Sequence, residues 1–412
     1  MTRTRRRPNL FLWKALLAGL AFGLCGCLGP QAVHFTRSRY NEVIQASNNE
    51  ELLLNLVRLR YLENPGFLPV SGLTAQFEVD AGAIGRGGID RGGASNYGQG
   101  TLSFADRPTI TFAPQRSPEL TKGLLTQIPL ETLYLFSANG SDHARLLRLF
   151  VRNLNGIENA GSGGGPSPSS APEFVEFRHA AEMLSHLQRQ RISVLAVENR
   201  LVDVPGAVPM KTLTAQDLLK ISAAGQGVRP LGENSGYVLT QSRPVRLLRV
   251  HPEAVSSPEL VELTSALRLK PYQETYEVEE VVEGQLRPSD FAAERSKITV
   301  TTRSVLEVMY LLSKAVSVPD EHACAGLVAE TRNSDGSPFN WDDVLGDLFH
   351  VQVSKHKPKT AFLTVPYRGY WYYVDDADTS SKITLGMFTD LFRLQRLGAA
   401  EGQPLLTLPV GR

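Results

Sequence analysis

Two cysteines lie one residue apart at the end of an apolar N-terminal stretch, in the octapeptide GLCGCLGP of residues 23–30. A cysteine thiolate is a nucleophile that can be alkylated, oxidised or bound to a metal. The preceding stretch begins with arginines and continues as an apolar run, the order of a secretory signal. The uninterrupted run from Ala15 to Leu24 covers about ten residues, whereas a membrane-spanning helix needs roughly twenty. We therefore expect export without a transmembrane anchor.

The tetrapeptide Leu24-Cys25-Gly26-Cys27 resembles the lipobox of bacterial lipoproteins, in which the last cysteine is modified. The resemblance implies that Cys27 becomes a lipidated N-terminus, with palmitate among its acyl chains. Each buried CH₂ contributes about 0.8 kcal/mol, so several chains hold a protein stably. Leu28 in place of an aspartate favours the outer membrane, with the body facing the periplasm. The alternative is an ordinary signal peptide cut elsewhere, which would leave Cys27 a plain thiol.

The remaining side chains with catalytic potential are scattered. Cys324 follows His322 by two residues, but residues i and i+2 of a helix point apart, so we expect a buried, unreactive thiol and no disulfide framework. A fold could still assemble a catalytic site from histidines, although we expect a surface or hydrogen-bonded role for each: His143, His179, His251, His322, His350 and His356.

Local enzyme signatures are missing, including G-x-S-x-G, H-E-x-x-H and C-x-x-C. Gly85 and Gly87 begin a G-x-G, but Asp90 occupies the sixth position and no G-K-[ST] follows, which argues against a nucleotide site. The sequence therefore favours a protein without catalytic residues, and we expect neither a cofactor nor a metal.

Charge argues against one class of partner. Five of the 43 basic residues and none of the 42 acidic ones precede Cys27, so the mature chain carries a formal charge of about −4. We find no long basic run with interleaved aromatics, and binding to a phosphate backbone needs a positive surface. We expect no nucleic-acid partner.

The densest aromatic cluster lies in YRGYWYYVDDAD, residues 367–378. In a strand, Tyr370 and Tyr372 would face one way and Trp371 and Tyr373 the other. One pair could line a glycan- or peptide-binding surface. The acids Asp375, Asp376 and Asp378 could then hold calcium, although the D-x-[DN]-x-[DN]-G loop is absent.

The interpretation we favour for this cluster is structural. One strand face would pack on a helix of residues 380–395, and the acids would cap that helix near its positive end. The apolar stripe expected to make the contact consists of Ile383, Met387, Leu391 and Leu394.

Capping residues mark where other helices should begin. Ser47 and Glu50 form an S-x-x-E capping box before a leucine-rich stripe, which predicts a helix from that point. Ser117-Pro118 and Ser257-Pro258 each predict a helix start with proline in the first turn. Ser304 and Glu307 predict another after the strand-like KITVT, and TAFLTVPYRGYWYYV predicts a hairpin that turns at Arg368-Gly369.

These patterns predict an α+β protein, with helices layered on mixed or antiparallel sheets and glycine-rich loops exposed. Residues 82–100 should connect two strands, and residues 161–172 should be either a linker or an inserted loop. The expected divisions are a signal peptide (1–26), a lipidated tether (27–36), an N-terminal α+β region (37–160), the linker or loop (161–172) and a C-terminal α+β region (173–412).

Three segments, RYNEVIQASNNEELLLNLVRLRY, ITVTTRSVLEVMYLLSKAV and YRGYWYYVDDADTSSKITLGMFTDLFRLQ, resemble a family of uncharacterised bacterial proteins, many with lipoprotein signals. The resemblance implies envelope placement and brings no activity.

The expected function is that of a lipid-anchored envelope protein with a structural or protein-binding role in the periplasm. Its partners would be membrane lipid, through the acyl chains, and another envelope protein. One alternative is a hydrolase of cell-wall or related substrates, which would need a cleft with a histidine beside a carboxylate or hydroxyl. Another is a ligand-binding lipoprotein serving a transporter, which would need a deep pocket.

Overall fold

The computed structural model describes residues 28–67, 70–90, 93–112, 118–161, 170–204, 213–231, 236–282, 295–397 and 406–409. The predicted signal peptide and Cys27 lie outside the described residues. The chain divides into two compact units. The first comprises Met1–Leu54, Gly66–Gln115 and Gly402–Arg412, and the second comprises Asn55–Pro65 and Arg116–Glu401.

Helix α1, Leu28–Arg60, is longer than the sequence predicted. The capping box of Ser47 and Glu50 was expected to start this helix, and that prediction is wrong because both residues lie inside it. A serine in a helix interior gives up its capping role when the preceding residues are already helical. Residues 28–36, which the sequence assigned to a tether, belong to the same helix.

The first unit also contains a three-stranded antiparallel sheet, in the order β1-β2-β13, of β1 (Val70–Asp90), β2 (Gly93–Phe112) and β13 (Leu406–Pro409). The predicted strands on either side of the glycine-rich tract are confirmed. The connection between them is shorter than expected, because pairing continues through the tract to Asp90 opposite Gly93. In an antiparallel pair of this kind, the backbone N–H and C=O groups of the two strands hydrogen-bond to each other.

The second unit is built on a seven-stranded sheet with the order β4-β3-β9-β8-β7-β5, in which β6 also pairs with β7. Pairing is antiparallel except between β8 and β9. Its strands are β3 (Val151–Leu154), β4 (Ile157–Glu158), β5 (Ser193–Asp203), β6 (Gln226–Pro230), β7 (Tyr237–Val250), β8 (Thr275–Glu280) and β9 (Lys297–Thr302).

Ten helices of the described chain belong to this second unit. They are α2 (Pro118–Leu125), α3 (Leu130–Ala138), α4 (His143–Phe150), α5 (Val175–Arg189), α6 (Ala215–Ala223), α7 (Pro258–Ala266), α8 (Val305–Ser313), α9 (Asp320–Cys324), α10 (Asp342–Leu345) and α11 (Thr379–Leu397). Helix α5 contacts both α4 and α7, while α3, α4 and α5 also contact strands of the sheet. Helices on a largely antiparallel sheet confirm the α+β class.

Several predicted helix starts are confirmed. Ser304 accepts a hydrogen bond from the backbone N–H of Glu307, and the Glu307 carboxylate accepts one from the backbone N–H of Ser304. Ser257 caps α7 through the backbone N–H of Leu260, and α2 begins at Pro118. Each cap satisfies N–H groups that have no partner inside the helix.

A second sheet of this unit has the antiparallel order β10-β12-β11, with β10 at Gln352–Ser354, β11 at Ala361–Tyr367 and β12 at Tyr370–Asp375. Its hairpin turns at Arg368 (φ 45°) and Gly369 (φ 82°), as predicted. Two consecutive positive φ angles define the type I′ turn, whose twist matches that of paired strands.

The expected boundary at residues 161–172 falls within the second unit. Strands from both sides of it share one sheet, because β3 pairs with β9. The regional divisions remain predictions, and residues 162–169 lie outside the described part of the chain.

Arg303 lies in the core of this unit and is 1% exposed. Its guanidinium donates to the carbonyl oxygens of Arg148 (3.0 Å), Leu149 (3.2 Å) and Asn159. Burial lowers the pKa of Arg303 to about 10, so the group stays charged at neutral pH. The arginine therefore joins the end of α4 to the loop after β4.

Candidate functional site

The C-terminal hairpin sorts its four central aromatic residues onto two faces. Tyr370 is 9% exposed and Tyr372 is fully buried, whereas Trp371 and Tyr373 are half-buried on the opposite face. This alternation confirms the arrangement predicted from the period of a strand.

Tyr370 and Tyr372 belong to a group that we call the tyrosine cluster: Tyr61, His322, Tyr367, Tyr370 and Tyr372. The Tyr61 hydroxyl lies 2.6 Å from His322 Nδ1 and 2.6 Å from the Tyr372 hydroxyl. The rings meet edge to face, with 5.6 Å between the centroids of Tyr61 and His322. Tyr61 follows α1 directly and His322 lies on α9, so three elements distant in sequence form the cluster.

Two carboxylates flank the tyrosine cluster. Tyr370 donates its hydroxyl hydrogen to Glu321 Oε1. On the other side, Arg368 Nη2 donates to Glu63 Oε1 at 2.8 Å. The Arg368 guanidinium also lies 5.1 Å from the centre of the Tyr61 ring, within the range of a cation–π contact.

The electrostatics of the tyrosine cluster oppose nucleophilic catalysis. Burial raises the pKa of Tyr61 and of Tyr372. The hydrogen bond to Glu321 is the largest cause that raises the pKa of Tyr370. A nucleophilic phenol acts through its phenolate, which a lowered pKa favours. The three hydroxyls therefore stay protonated and serve as hydrogen-bonding groups.

The outer face of the hairpin presents aromatic rings beside lysines. Lys357 Nζ lies 5.1 Å from the centre of the Trp371 ring, and the Tyr373 hydroxyl donates to Gln352 Oε1 at 2.7 Å. Lys357 and Lys359 are exposed in the loop before β11, whereas Lys355 Nζ lies 5.7 Å from the centre of the Tyr370 ring, on the opposite face. This face therefore combines half-buried aromatic surface with positive charge.

The acidic residues after β12 organise the turn into α11. Asp378 accepts from the Ser381 backbone N–H at 2.9 Å, and Asp375 accepts from the Ala377 N–H at 2.8 Å. Asp376 pairs with Lys382 at 2.5 Å. Within the described residues, no three His, Cys, Asp or Glu side chains are grouped so as to hold a metal ion.

The predicted apolar stripe of α11 is partly wrong. Met387 and Leu391 are buried, but Ile383 is 52% and Leu394 is 48% exposed. The buried face instead contains Leu385, Phe388 and Phe392. The predicted stripe was therefore displaced around the helix from the face that is buried. Phe388 and Phe392 lie on the buried face, whereas residues 383 and 394 lie beside it.

The histidines do not converge on one site. His143 Nε2 lies 2.7 Å from Ser137 Oγ, His350 Nε2 lies 3.0 Å from Ser317 Oγ, and His179 Nε2 lies 3.3 Å from Glu262 Oε1. His251 Nδ1 accepts from the Glu253 N–H at 3.4 Å, and His356 is exposed.

The expectation of a buried Cys324 is wrong, because its thiol is free and exposed. The residue ends the short surface helix α9, on which His322 points to Tyr61.

An apolar cavity of about 50 Å³ lies inside the second unit, between α3, α4 and the sheet. Its polar groups are the imidazole of His143 and the hydroxyl of Tyr134, which donates to the Leu247 carbonyl. Burial lowers the pKa of His143 to about 4, so this imidazole is neutral and weakly basic at pH 7. The cavity resembles a packing void more than the site of a polar ligand.

Sequence patterns missed the contribution of Tyr61 to the site, and that of the Glu63–Arg368 pair. Tyr61 lies 311 residues from Tyr372 along the chain, and no local spacing encodes such a contact. The one local signal was the segment RLRY at the end of an amphipathic helix. Its tyrosine and two arginines do not continue the apolar stripe of that helix.

Comparisons with known proteins add no identity: no family model, no curated protein and no solved structure matches the chain. Among the described residues, no helix combines the length and apolar character needed to cross a bilayer.

Proposed function

We propose that the chain is a lipid-anchored protein of the bacterial cell envelope, held at the outer membrane through Cys27. Its body, facing the periplasm, binds an envelope protein partner and performs no catalysis. The observation that supports a binding role is that the aromatic residues of the C-terminal hairpin lie on two different faces. Tyr370 and Tyr372 are bonded inside the fold, while Trp371 and Tyr373 line an outer face beside Lys357.

The outer face has the composition of a binding surface. Aromatic residues are enriched at protein interfaces because they bury a large apolar area with few rotatable bonds. The neighbouring lysines would select an acidic partner surface and increase the rate of encounter. Raised pKa values of Tyr61 and Tyr372 argue against a phenolate nucleophile in the tyrosine cluster.

The anchor is tested by metabolic labelling with an alkyne-bearing fatty acid, followed by mass spectrometry of the mature N-terminus. We expect label on the wild-type chain and on Cys324→Ser, and none on Cys27→Ser. A mature chain that begins at another residue, or an unmodified Cys27 thiol, would refute the anchor.

The binding surface is tested with a photo-crosslinking amino acid in place of Trp371, and a control at Leu219, which is 71% exposed on α6. We expect one discrete adduct in intact cells from position 371, weakened by Lys357→Glu. Equal adducts from both positions, or none from position 371, would contradict the proposed surface.

A hydrolase is the second candidate, favoured by the 2.7 Å separation of Ser137 Oγ and His143 Nε2. A seryl nucleophile needs a base with a pKa near the working pH, and burial holds the pKa of His143 at about 4. This candidate therefore ranks below binding. Labelling of Ser137 by a fluorophosphonate probe, lost in Ser137→Ala, would reverse the order.

A further inference from the structure

Strand β5 forms one edge of the seven-stranded sheet and is long for an edge strand. It runs for 11 residues and pairs with β7 in an unbroken register, whereas strands usually have about five or six residues. The strand at the opposite edge, β4, has two residues. Proteins protect long edges with proline, lysine or a β-bulge, and β5 contains none of the three.

The backbone groups of alternate β5 residues point away from β7. Within the same register, the N–H of Val204 donates to the Leu239 carbonyl, and the N–H of His251 donates to the Ile192 carbonyl. The even-numbered residues therefore bond to β7, and the odd-numbered residues direct their N–H and C=O groups to the outer edge. Along β5, these outward groups make no backbone hydrogen bond to another described residue.

The two faces of β5 differ in chemistry at this open edge. Val197 is 55% and Leu201 is 72% exposed, and their side chains share one face of the strand. Glu198 and Arg200 lie on the other face, with Arg200 Nη2 at 3.4 Å from Glu198 Oε2. The edge therefore combines exposed apolar surface with one solvent-accessible charge of each sign.

We propose that β5 pairs antiparallel with β5 of a second copy of this chain, about a twofold axis at Asn199. In this register Val197 lies opposite Leu201 of the second copy, and Glu198 lies opposite its Arg200. Each contact occurs twice, because the interface is symmetric. The outward backbone groups of Asn199 then bond to those of its own counterpart, which agrees with the odd-numbered open edge.

The charges of β5 select this register and favour a second copy as the occupant. The two neighbouring registers of the same parity place Glu198 opposite Glu198 or Arg200 opposite Arg200. Like charges directly opposite destabilise a strand pair, whereas opposite charges stabilise it. With the axis at Asn199 the strand is complementary to itself, and pairing joins two seven-stranded sheets into one. The inference stands apart from the proposed anchor and partner.

Disulfide trapping tests the register in the full chain, in membranes, with Cys324→Ser as the parent. The Cα atoms of hydrogen-bonded opposite residues lie about 5.5 Å apart, a distance that a disulfide bridges. Asn199→Cys should therefore form a covalent dimer on mild oxidation. Val197→Cys and Leu201→Cys should each stay monomeric, because each lies about 14 Å from its own counterpart, and should couple when coexpressed.

Three results of the trapping experiment would overturn the proposal. They are a yield from Asn199→Cys no higher than from the parent, equal yields from the three single variants, and a disulfide from position 199 to a different protein. Asn199 is exposed, so its replacement leaves the fold intact.

Charge reversal tests the interface in solution, through the protein mass measured by light scattering in detergent. The wild type should be a dimer, and Glu198→Arg and Arg200→Glu should each raise its dissociation constant about tenfold. An equal mixture of these two variants restores opposite charges at both contacts and should dimerise as the wild type does. The exposed control Arg332→Glu should also match the wild type. A monomeric wild type, or a mixture no better than either variant, would overturn the proposal.

Discussion

Two buried cations of the second unit, Arg303 and Lys314, differ in how their charge is hydrogen-bonded. Arg303 donates to three main-chain carbonyls and is 1% exposed. Lys314 is 6% exposed and unpartnered among the described residues, and the nearby Arg60 leaves a buried Nε without an acceptor. A buried charge is tolerated when hydrogen bonds replace its hydration. Arg303 therefore stabilises the fold, whereas burial of Lys314 disfavours its charged form and lowers its pKa to about 8.

The largest expected effect is a loss of stability when Arg303 is replaced. Arg303→Met should lower the free energy of unfolding by about 3–5 kcal/mol, because three buried carbonyls lose their donor. Urea unfolding followed by circular dichroism measures this loss. The control Arg229→Met removes an exposed ion pair with Asp203 and should leave the unfolding midpoint almost unchanged. Equal urea unfolding midpoints for Arg303→Met and Arg229→Met would contradict the stabilising role of Arg303.

A smaller effect, with a distinct pH dependence, is expected at Lys314. Its pKa is about 8 in the fold against 10.5 in the ordinary state, so the unfolded chain binds more protons between these values. Stability from this group should therefore rise with pH across that window, by about 3 kcal/mol in total.

The measurement is the difference in unfolding free energy between wild type and Lys314→Met at pH 7 and pH 10.5, which cancels the other titrating groups. A pH-independent difference would mean that the Lys314 ammonium is already solvated or paired.

The tyrosine cluster extends the comparison to uncharged groups. Tyr61→Phe removes a hydroxyl bonded to both His322 and Tyr372, and we expect a loss of about 1–2 kcal/mol. Tyr373→Phe removes one bond to Gln352 on the outer face and should change stability little. Thermal or urea denaturation measures the stability of both variants. A larger loss of unfolding free energy in Tyr373→Phe than in Tyr61→Phe would contradict the assignment of inner and outer faces.

Local sequence signals predicted the parts of the fold that local chemistry determines. Ser304 with Glu307, Ser257 with Pro258, and the turn at Arg368-Gly369 are where the sequence placed them. Each depends on hydrogen bonds or backbone angles within a few residues. The alternation of Tyr370 to Tyr373 follows from the strand period alone.

Features that depend on distant contacts were not predictable in this way. Ser47 does not cap a helix, because α1 already begins at Leu28. Cys324 is exposed on a five-residue helix. Whether so short a helix is buried depends on contacts with segments distant in sequence, which local patterns do not encode. Lys314 and Arg60 are separated by some 250 residues, and in sequence both look like ordinary cations at helix ends.

The most direct test of the contrast between partnered and unpartnered cations is the pKa of Lys314, measured by NMR with ¹³C-labelled lysine and assigned with Lys314→Arg. We predict a pKa of about 8 for Lys314, because burial disfavours the charged ammonium. An ordinary lysine value of about 10.4 would contradict the account.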